Sequence, residues 1–572
     1  MSGTSRSEFR FSIAGLKVDE TGAVLAFVTL VAVCCLVFLV GLGDTGLWDV
    51  DEGMHAAMGK NMLLSGDWVT PVFNGEPFFD KPVMFNWLVA ISFWLFGFTD
   101  FAARLPAALM GIGCVLLTYG IGRRLFGLAA GFFAALALAT SLEFLILSRM
   151  VIYDVPFTFF TTLSLYFLCD ALFGSRRSTA FIGFHVSVAL AILTKGPLGF
   201  VIPWLAVCSY LLWQRDLGRL REFRLANGAL IITAIVAPWY VMMESANPGF
   251  IKYFIVKQHI ANMFGHVGEI GARHPQPVYY YVPVLLLGFF PWSSFLPGAV
   301  YSAWKRRSSR DDEPLAFLLI LLVSAFVFFS IASSKLVTYI LPLFPPAALL
   351  LGRYVTDRRE VEQNRWTQLL TGLAVSTLVA LMLTIWAVSH DAPIQLHEQS
   401  GLVWHDVETI SVVLTSTMVA ALLFAWRGAT TSAAAVTATA APMLMLLAYV
   451  LVAPDIYPFR SSAQIGAAYD ALLPPREKLV FSEKVFDAAV YYTGRDAQVL
   501  DGRAELDGYL RHDERVYLLA RRDSGVLVDC RPVLAYVVYE FGNKVIVSNK
   551  SDNPKGNERP RLPELECLAS GK

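Results

Sequence analysis

Charged side chains stand at positions where an otherwise apolar chain has few. Asp49, Asp51 and Glu52 come directly after the first long apolar run, and Lys81 follows about thirty residues later, beside Pro82. Arg149 and Asp154 lie in LSRMVIYDVPF, Lys195 in LTKGPLG, and Lys335 with Tyr339 in SSKLVTYILPLFPP. Each falls at the end of an apolar segment. Ionisable groups at membrane depth are costly unless they pair, snorkel to the interface or line a wet cavity. Snorkelling accounts for any one of them; a pocket lined by carboxylates and ammonium groups accounts for the mixture of signs. Lys and Arg in such a pocket suit a phosphate or pyrophosphate. Carboxylates suit sugar hydroxyls, or act as a base that takes a proton from an acceptor. The Phe- and Trp-rich run WLVAISFWLFGF suits a lipid tail. Glycosyl transfer passes through an oxocarbenium-like state that a nearby carboxylate stabilises. The set therefore points to a lipid-phosphate-linked sugar, with an ion-coupled transporter as the rival reading.

The elements that position these residues are membrane spans. The chain has 572 residues, of which 56% are hydrophobic and only 16% charged, against roughly a quarter charged in soluble domains. Mean hydropathy is +0.54. Forty-six Lys and Arg balance forty-six Asp and Glu, which excludes a bulk polyanion binder and a disordered charged chain; no nucleic-acid partner is expected. Apolar runs of spanning length fall near 22–42, 104–122, 128–147, 155–173, 180–194, 198–213, 226–243, 279–300, 315–332, 336–351, 367–389, 408–426 and 433–453, about thirteen spans. Arg clusters at 123–124, 176–177, 215–224, 305–310 and 353–365, with Arg427, occur at every second connection. The positive-inside rule places them in the cytoplasm. The chemistry-bearing ends then face outward, as do eight of the nine His, His185 excepted. The run 83–98 is also apolar, but counting it as a span would invert every later loop, so it reads as an interfacial or re-entrant helix. Cys34, Cys35, Cys114, Cys169 and Cys208 lie in apolar runs and read as small core residues.

The expected organisation is a membrane domain over 1–453, with a first outer loop at 43–103 holding in-plane helices, and a C-terminal domain over 454–572. In the latter KLVFSE, AQVLD, RVYLLAR and VLAYVVYEF…KVIVSN read as strands and AELDGYLRH as a helix, a small α/β fold. Cys530 and Cys567 read equally as a disulfide or as two free thiols.

The first loop, WDVDEGMHAAMGKNMLLSGDWVTPVFNGEPFFDKPVMFNW, closely resembles that of the lipid A aminoarabinose transferase family, glycosyltransferase family 83, in the GT-C superfamily with the protein O-mannosyltransferases. RMVIYDVPFTFF, LTKGPLGFVIPW, KQHIANMFG…HPQPVYYYVP and SSKLVTYILPLFPPAALLLG resemble its later motifs, and AAVYYTGRDAQVL one in its tail. The likeness is good over about 20–350 and weak in the tail. It implies a polytopic α-helical GT-C fold with a small C-terminal α/β periplasmic domain. It implies an inverting transferase of the bacterial inner membrane, with an undecaprenyl-phosphate-linked sugar donor, a periplasm-facing acceptor such as lipid A or another envelope glycan, and membrane lipids around it.

On this resemblance the functional Asp residues fall on Asp51, with Glu52 beside it, and on Asp154. The phosphate-binding Lys falls on Lys81 and the Tyr near the donor phosphate on Tyr339, with Arg149, Lys195 and Lys335 as further substrate-binding cations. Asp80 and His259 match a metal-binding pair. Two protein ligands make a poor zinc site, and a lipid-phosphate leaving group has no nucleotide diphosphate to neutralise, so no cofactor is required and zinc or magnesium stays an open reading. Met54 and His55 stand where the family has Arg and Tyr, Ala57 where it has an acid, Gln258 where it has Glu and Asn262 where Arg is common. The alternatives are a polyprenyl-lipid flippase or transporter, a protein O-mannosyltransferase-like enzyme, and a non-enzymatic envelope scaffold.

Overall fold

The computed structural model describes residues 11–13, 16–18, 20–49, 51–174, 177–267, 270–271, 274–309, 312–357, 404–427, 430–447, 451, 453–474, 477–482, 484–500, 502–521 and 536–550. Among them six helices are long and apolar enough to cross a bilayer: Gly22–Leu39, Asp100–Phe126, Asp154–Phe173, Ser178–Lys195, Leu225–Ala246 and Glu313–Ile331. Each coincides with an expected span.

Other expected spans are segmented, so the count of thirteen is not established. The run 128–147 divides into Leu128–Ala139 and Leu142–Leu147. There Thr140 and Ser141 turn their hydroxyls back onto the Leu136 and Leu138 carbonyls, a local bond that competes with the helix. The run 279–300 breaks around Pro291, between Tyr281–Gly288 and Leu296–Arg306, since proline has no N–H to give. The run 336–351 becomes a 3-10 turn, Val337–Leu343, and a helix, Phe344–Thr356, with prolines in its first turn. The run 367–389 lies outside the described residues. The helix Met84–Phe96 has 13 residues. At 1.5 Å per residue it is about 20 Å long, too short for a hydrocarbon core of roughly 30 Å. Cys35 is exposed on its helix, which corrects its reading as a core residue, whereas Cys34, Cys114 and Cys169 are buried.

One hairpin sets the geometry of everything that follows. Asp154–Phe173 runs away from the first loop, and Arg177–Lys195 returns beside it. Asp154 and Lys195 therefore meet at one end of the pair. At the other end Asp170 pairs with Arg124, in the last turn of Asp100–Phe126. Twenty helical residues separate the two ends by roughly 30 Å, a bilayer core.

The residues from Ala453 onward fold around a five-stranded mixed sheet. From edge to edge it runs Tyr536–Phe541, Lys544–Ser548, Tyr517–Arg521, Leu479–Phe481 and Ala497–Val499. The first three are antiparallel neighbours, and Leu479–Phe481 is parallel to both its neighbours. All five coincide with the strands read from sequence, and the helix Gly502–Leu510 with AELDGYLRH. Leu479, Phe481, Leu519 and Ile546 are buried on one face of the sheet, under the helices Ala463–Leu472 and Asp487–Thr493. Cys530 and Cys567 lie outside the described residues.

Candidate active site

Asp51 sits at the residue before the helix Glu52–Ser65, yet its carboxylate does not cap that helix. Its backbone has φ 69° and ψ −57°, a conformation costing a non-glycine residue of order 1–3 kcal/mol and characteristic of functional positions. The side chain is solvent-accessible but crowded. Partial burial first, and then the Asp154 charge, raise its pKa above the ordinary carboxylate value, opposed by Lys81 and Lys484.

Glu52 is placed quite differently. It is 1% exposed and forms a two-pronged ion pair with Arg104, with Nε–Oε1 and Nη2–Oε2 both 2.8 Å. The backbone N–H groups of Val151 and Trp48 donate to the same two oxygens at 3.0 Å. Arg104 in turn donates to the carbonyls of Thr45, Gly46 and Leu42. Both Glu52 oxygens are thus engaged in holding the loop to the bundle. Arg104 was not singled out from sequence, although a lone Arg in AARLPAALM was a readable signal.

Lys81, Lys195 and Tyr339 converge on one recess of about 640 Å³, counted to its open mouth, which is also lined by Gln258, His259 and Asn262. The Lys195 ammonium pairs with Asp154 and lies 4.4 Å from the centre of the Tyr339 ring. Gly196, at φ 66°, ends the helix behind Lys195; a Cβ there would meet Phe254 at 2.6 Å and His259 Nε2 at 3.1 Å. This is the reason LTKGP carries a glycine, and it brings the segment 254–259 against Lys195. That segment is a stretch of π-helix, Tyr253–Ile260, a widened turn frequent at functional sites.

Arg149 and Lys335 do not join the recess lining. Arg149 donates to the Val37 carbonyl in the last turn of the first helix. The Lys335 ammonium is taken by the Gln276 and Ala332 carbonyls, which ties two connecting segments together. Asp80 and His259 do not assemble a metal site. An Asp80 oxygen accepts from Tyr253 and Gln258, and His259 Nδ1 faces the Phe254 carbonyl at 2.8 Å. Among the described residues no three His, Cys, Asp or Glu converge on a point that could hold an ion. With Gln258 in place of an acid, Asp80 is the single anionic ligand of the pair, and one carboxylate with one imidazole is a poor donor set for a divalent ion, so no step is routed through a metal.

His55 is buried among Tyr153, Phe85 and Phe78, its ring 4.7 Å from that of Tyr153. Burial, and then the Lys81 charge, push its pKa down to about 3, so it is a neutral packing group.

The tail adds residues that sequence did not single out. The helix Asp487–Thr493 packs on Glu52–Ser65 so closely that a Cβ on Gly53 would meet the Ala488 backbone N at 2.3 Å. Lys544 pairs with Asp49 at 3.1 Å. The Tyr492 hydroxyl accepts from the Leu47 N–H and donates to Asp100, and Lys60 donates to the Tyr491 carbonyl. Asp487 is thereby brought beside Asp49 and Asp51. Burial first, and then the Asp49 charge, raise its pKa to about 7.

The chain is similar to several known proteins. The family model described as dolichyl-phosphate-mannose-protein mannosyltransferase matches residues 80–242. The undecaprenyl phosphate-alpha-4-amino-4-deoxy-L-arabinose arabinosyl transferase 2 of Pseudomonas fluorescens is 33% identical over 403 residues, 69% of this chain and 67% of its own. The corresponding transferase of Edwardsiella ictaluri is 32% identical over 384 residues, 65% of this chain and 67% of its own. The crystal structure of ArnT from Cupriavidus metallidurans bound to undecaprenyl phosphate superposes with a TM-score of 0.78 at 25% identity, over 92% of this chain and 98% of that one.

Proposed function

The chain belongs to the undecaprenyl phosphate-alpha-4-amino-4-deoxy-L-arabinose arabinosyl transferase family, and we propose that it moves the sugar of an undecaprenyl-phosphate-linked donor onto lipid A through the residues gathered around Asp51 and the recess. It is a multi-pass membrane glycosyltransferase. On this reading it lies in the inner membrane with the site and the tail on the periplasmic side, and the chain divides at about 453 into a membrane domain and a tail domain.

The observation that carries the reading is the convergence of Lys81, Lys195 and Tyr339 on one recess, with Asp154 paired to Lys195. The donor phosphate binds at Lys81 in that recess, which Tyr339 and Lys195, paired with Asp154, also line. An acceptor oxygen attacks C1 of the sugar from the opposite face and forms the new C1–O bond. The bond from C1 to the phosphate oxygen breaks, and its electron pair leaves on undecaprenyl phosphate, whose growing negative charge Lys81 stabilises. Where the attacking group is a hydroxyl, Asp51 takes its proton, and a raised pKa suits a base working near neutrality. Where it is a phosphate oxygen no proton moves, and Asp51 stabilises the positive charge developing at C1. Glu52 with Arg104 holds the strained loop that presents Asp51; it is a positioning residue, not a catalytic one.

The test is to incubate membranes containing the protein with labelled undecaprenyl-phosphate aminoarabinose and lipid A. Label is expected to pass to lipid A with wild-type protein, and not with Asp51→Asn at equal abundance in the membrane. Movement of the donor across the bilayer with no new glycosidic bond would favour the flippase instead.

A further inference from the structure

Lys484 lies in the segment between the strand Leu479–Phe481 and the helix Asp487–Thr493. The Gly53–Ala488 contact and the bonds around Tyr492, Lys60 and Lys544 fix that helix on the loop carrying Asp51. The segment therefore stays beside Asp51.

The other lysines near the site are occupied. Lys195 pairs with Asp154, and Lys544 pairs with Asp49. Lys60 donates to Tyr491, and Lys335 to Gln276. Lys484 is exposed, and its ammonium has no hydrogen-bond or ion-pair partner among the described residues.

The surroundings call for a cation. Asp49, Asp51 and Asp487 stand together, and among the described residues only Asp49 of the three has an ion pair. An anionic acceptor approaching Asp51 would be repelled by this group unless a positive charge meets it. Lys81 also acts on Asp51, but it lines the recess assigned to the donor phosphate. Lys484 is the cation whose charge reaches both Asp51 and Asp487.

We infer that Lys484, supplied by the tail domain, is the acceptor-side anchor of the site and binds a phosphate of the incoming lipid A, as Lys81 binds that of the donor. The inference rests on the reading of Asp51 as the residue that meets the acceptor. It gives the tail a role in the reaction: the membrane domain holds the donor and the tail completes the acceptor side.

The experiment uses the full-length protein in nanodiscs, with undecaprenyl-phosphate aminoarabinose as donor and bis-phosphorylated lipid A as acceptor. Loss of one charge-assisted phosphate contact in Lys484→Ala is expected to raise the acceptor KM roughly tenfold, leaving kcat and competition by free undecaprenyl phosphate within about twofold of wild type. Lys484→Glu should be worse, and Lys484→Arg should restore the KM. An acceptor KM unchanged in Lys484→Ala, or a rise matched by the donor KM, overturns the inference while wild-type transfer keeps the functional reading standing. Wild-type protein that transfers no sugar to lipid A removes both.

Discussion

Lys195 and Asp154 close the open end of a helical hairpin with an ion pair that is almost wholly removed from solvent, the side chains being 4% and 14% exposed. A buried pair is weak evidence of stabilisation, but losing one partner strands the other charge, at about 3–5 kcal/mol. Lys195→Met should therefore lower the melting temperature in detergent sharply, and Asp154→Asn should do so less, because a Lys stem can snorkel. The double variant should recover part of the loss. Simple addition of the two single effects in that cycle would mean that the pair is not coupled.

Glu52 and Asp51 are neighbours with opposite expectations. Glu52→Gln removes the charge that matches the buried Arg104, so it should cost about 3–5 kcal/mol and reduce the amount of folded protein. Asp51→Asn alters an accessible carboxylate with no capping bond and should keep stability within about 1 kcal/mol of wild type while ending transfer. Melting curves of the two variants, run beside the transfer assay, distinguish the roles. A stable but inactive Glu52→Gln would return Glu52 to the catalytic group.

The sequence made the membrane class legible because apolar runs and Arg clusters are local signals, and six expected spans stand as continuous helices. It concealed the breaks at 140–141 and at Pro291, where hydroxyl and proline chemistry overrides an apolar composition. Of the substrate-binding set read from span-end motifs, Lys81, Lys195 and Tyr339 line one recess, whereas Arg149 and Lys335 do not. The sequence could not separate Asp51 from Glu52, or Lys195 from Lys335, because adjacent or similar residues differ only in where the fold turns them. The contributions of Asp487 and Lys484 were invisible, since over four hundred residues separate them from Asp51 and only docking of the tail unites them.

Asp487 predicts a pH dependence. Its folded pKa is raised to about 7 from an ordinary value of 3.8. Below the ordinary value both folded and unfolded chains are protonated. As pH rises toward 7 the unfolded chain releases its proton first, so the folded state holds more protons and stability falls with pH. Asp487→Asn removes that slope. The variant should melt above wild type at pH 8 and show a smaller difference at pH 5. An equal difference at both pH values would show that Asp487 is ionised in the fold throughout.

Gly53 is the position on which docking of the tail turns. A Cβ there would lie 2.3 Å from the Ala488 nitrogen and 2.6 Å from the Asp487 carbonyl carbon. Both are backbone atoms with no rotamer to escape into, so the helix Asp487–Thr493 must move off Glu52–Ser65. Overpacking of this kind typically costs 1–3 kcal/mol. In Gly53→Ala that cost falls on the interface rather than on either core, because the sheet packs around its own cluster of Leu479, Phe481 and Ile546. Hydrogen exchange in 484–493 should therefore accelerate while that of Tyr517–Arg521, in the sheet interior, stays slow. The acceptor side should weaken together with the docking and donor binding should hold, since the recess at Lys81 and Lys195 contains no tail residue. Unchanged exchange over 484–493 in Gly53→Ala would mean that the helices accommodate a methyl group, and that the tail does not depend on this contact for its place beside Asp51.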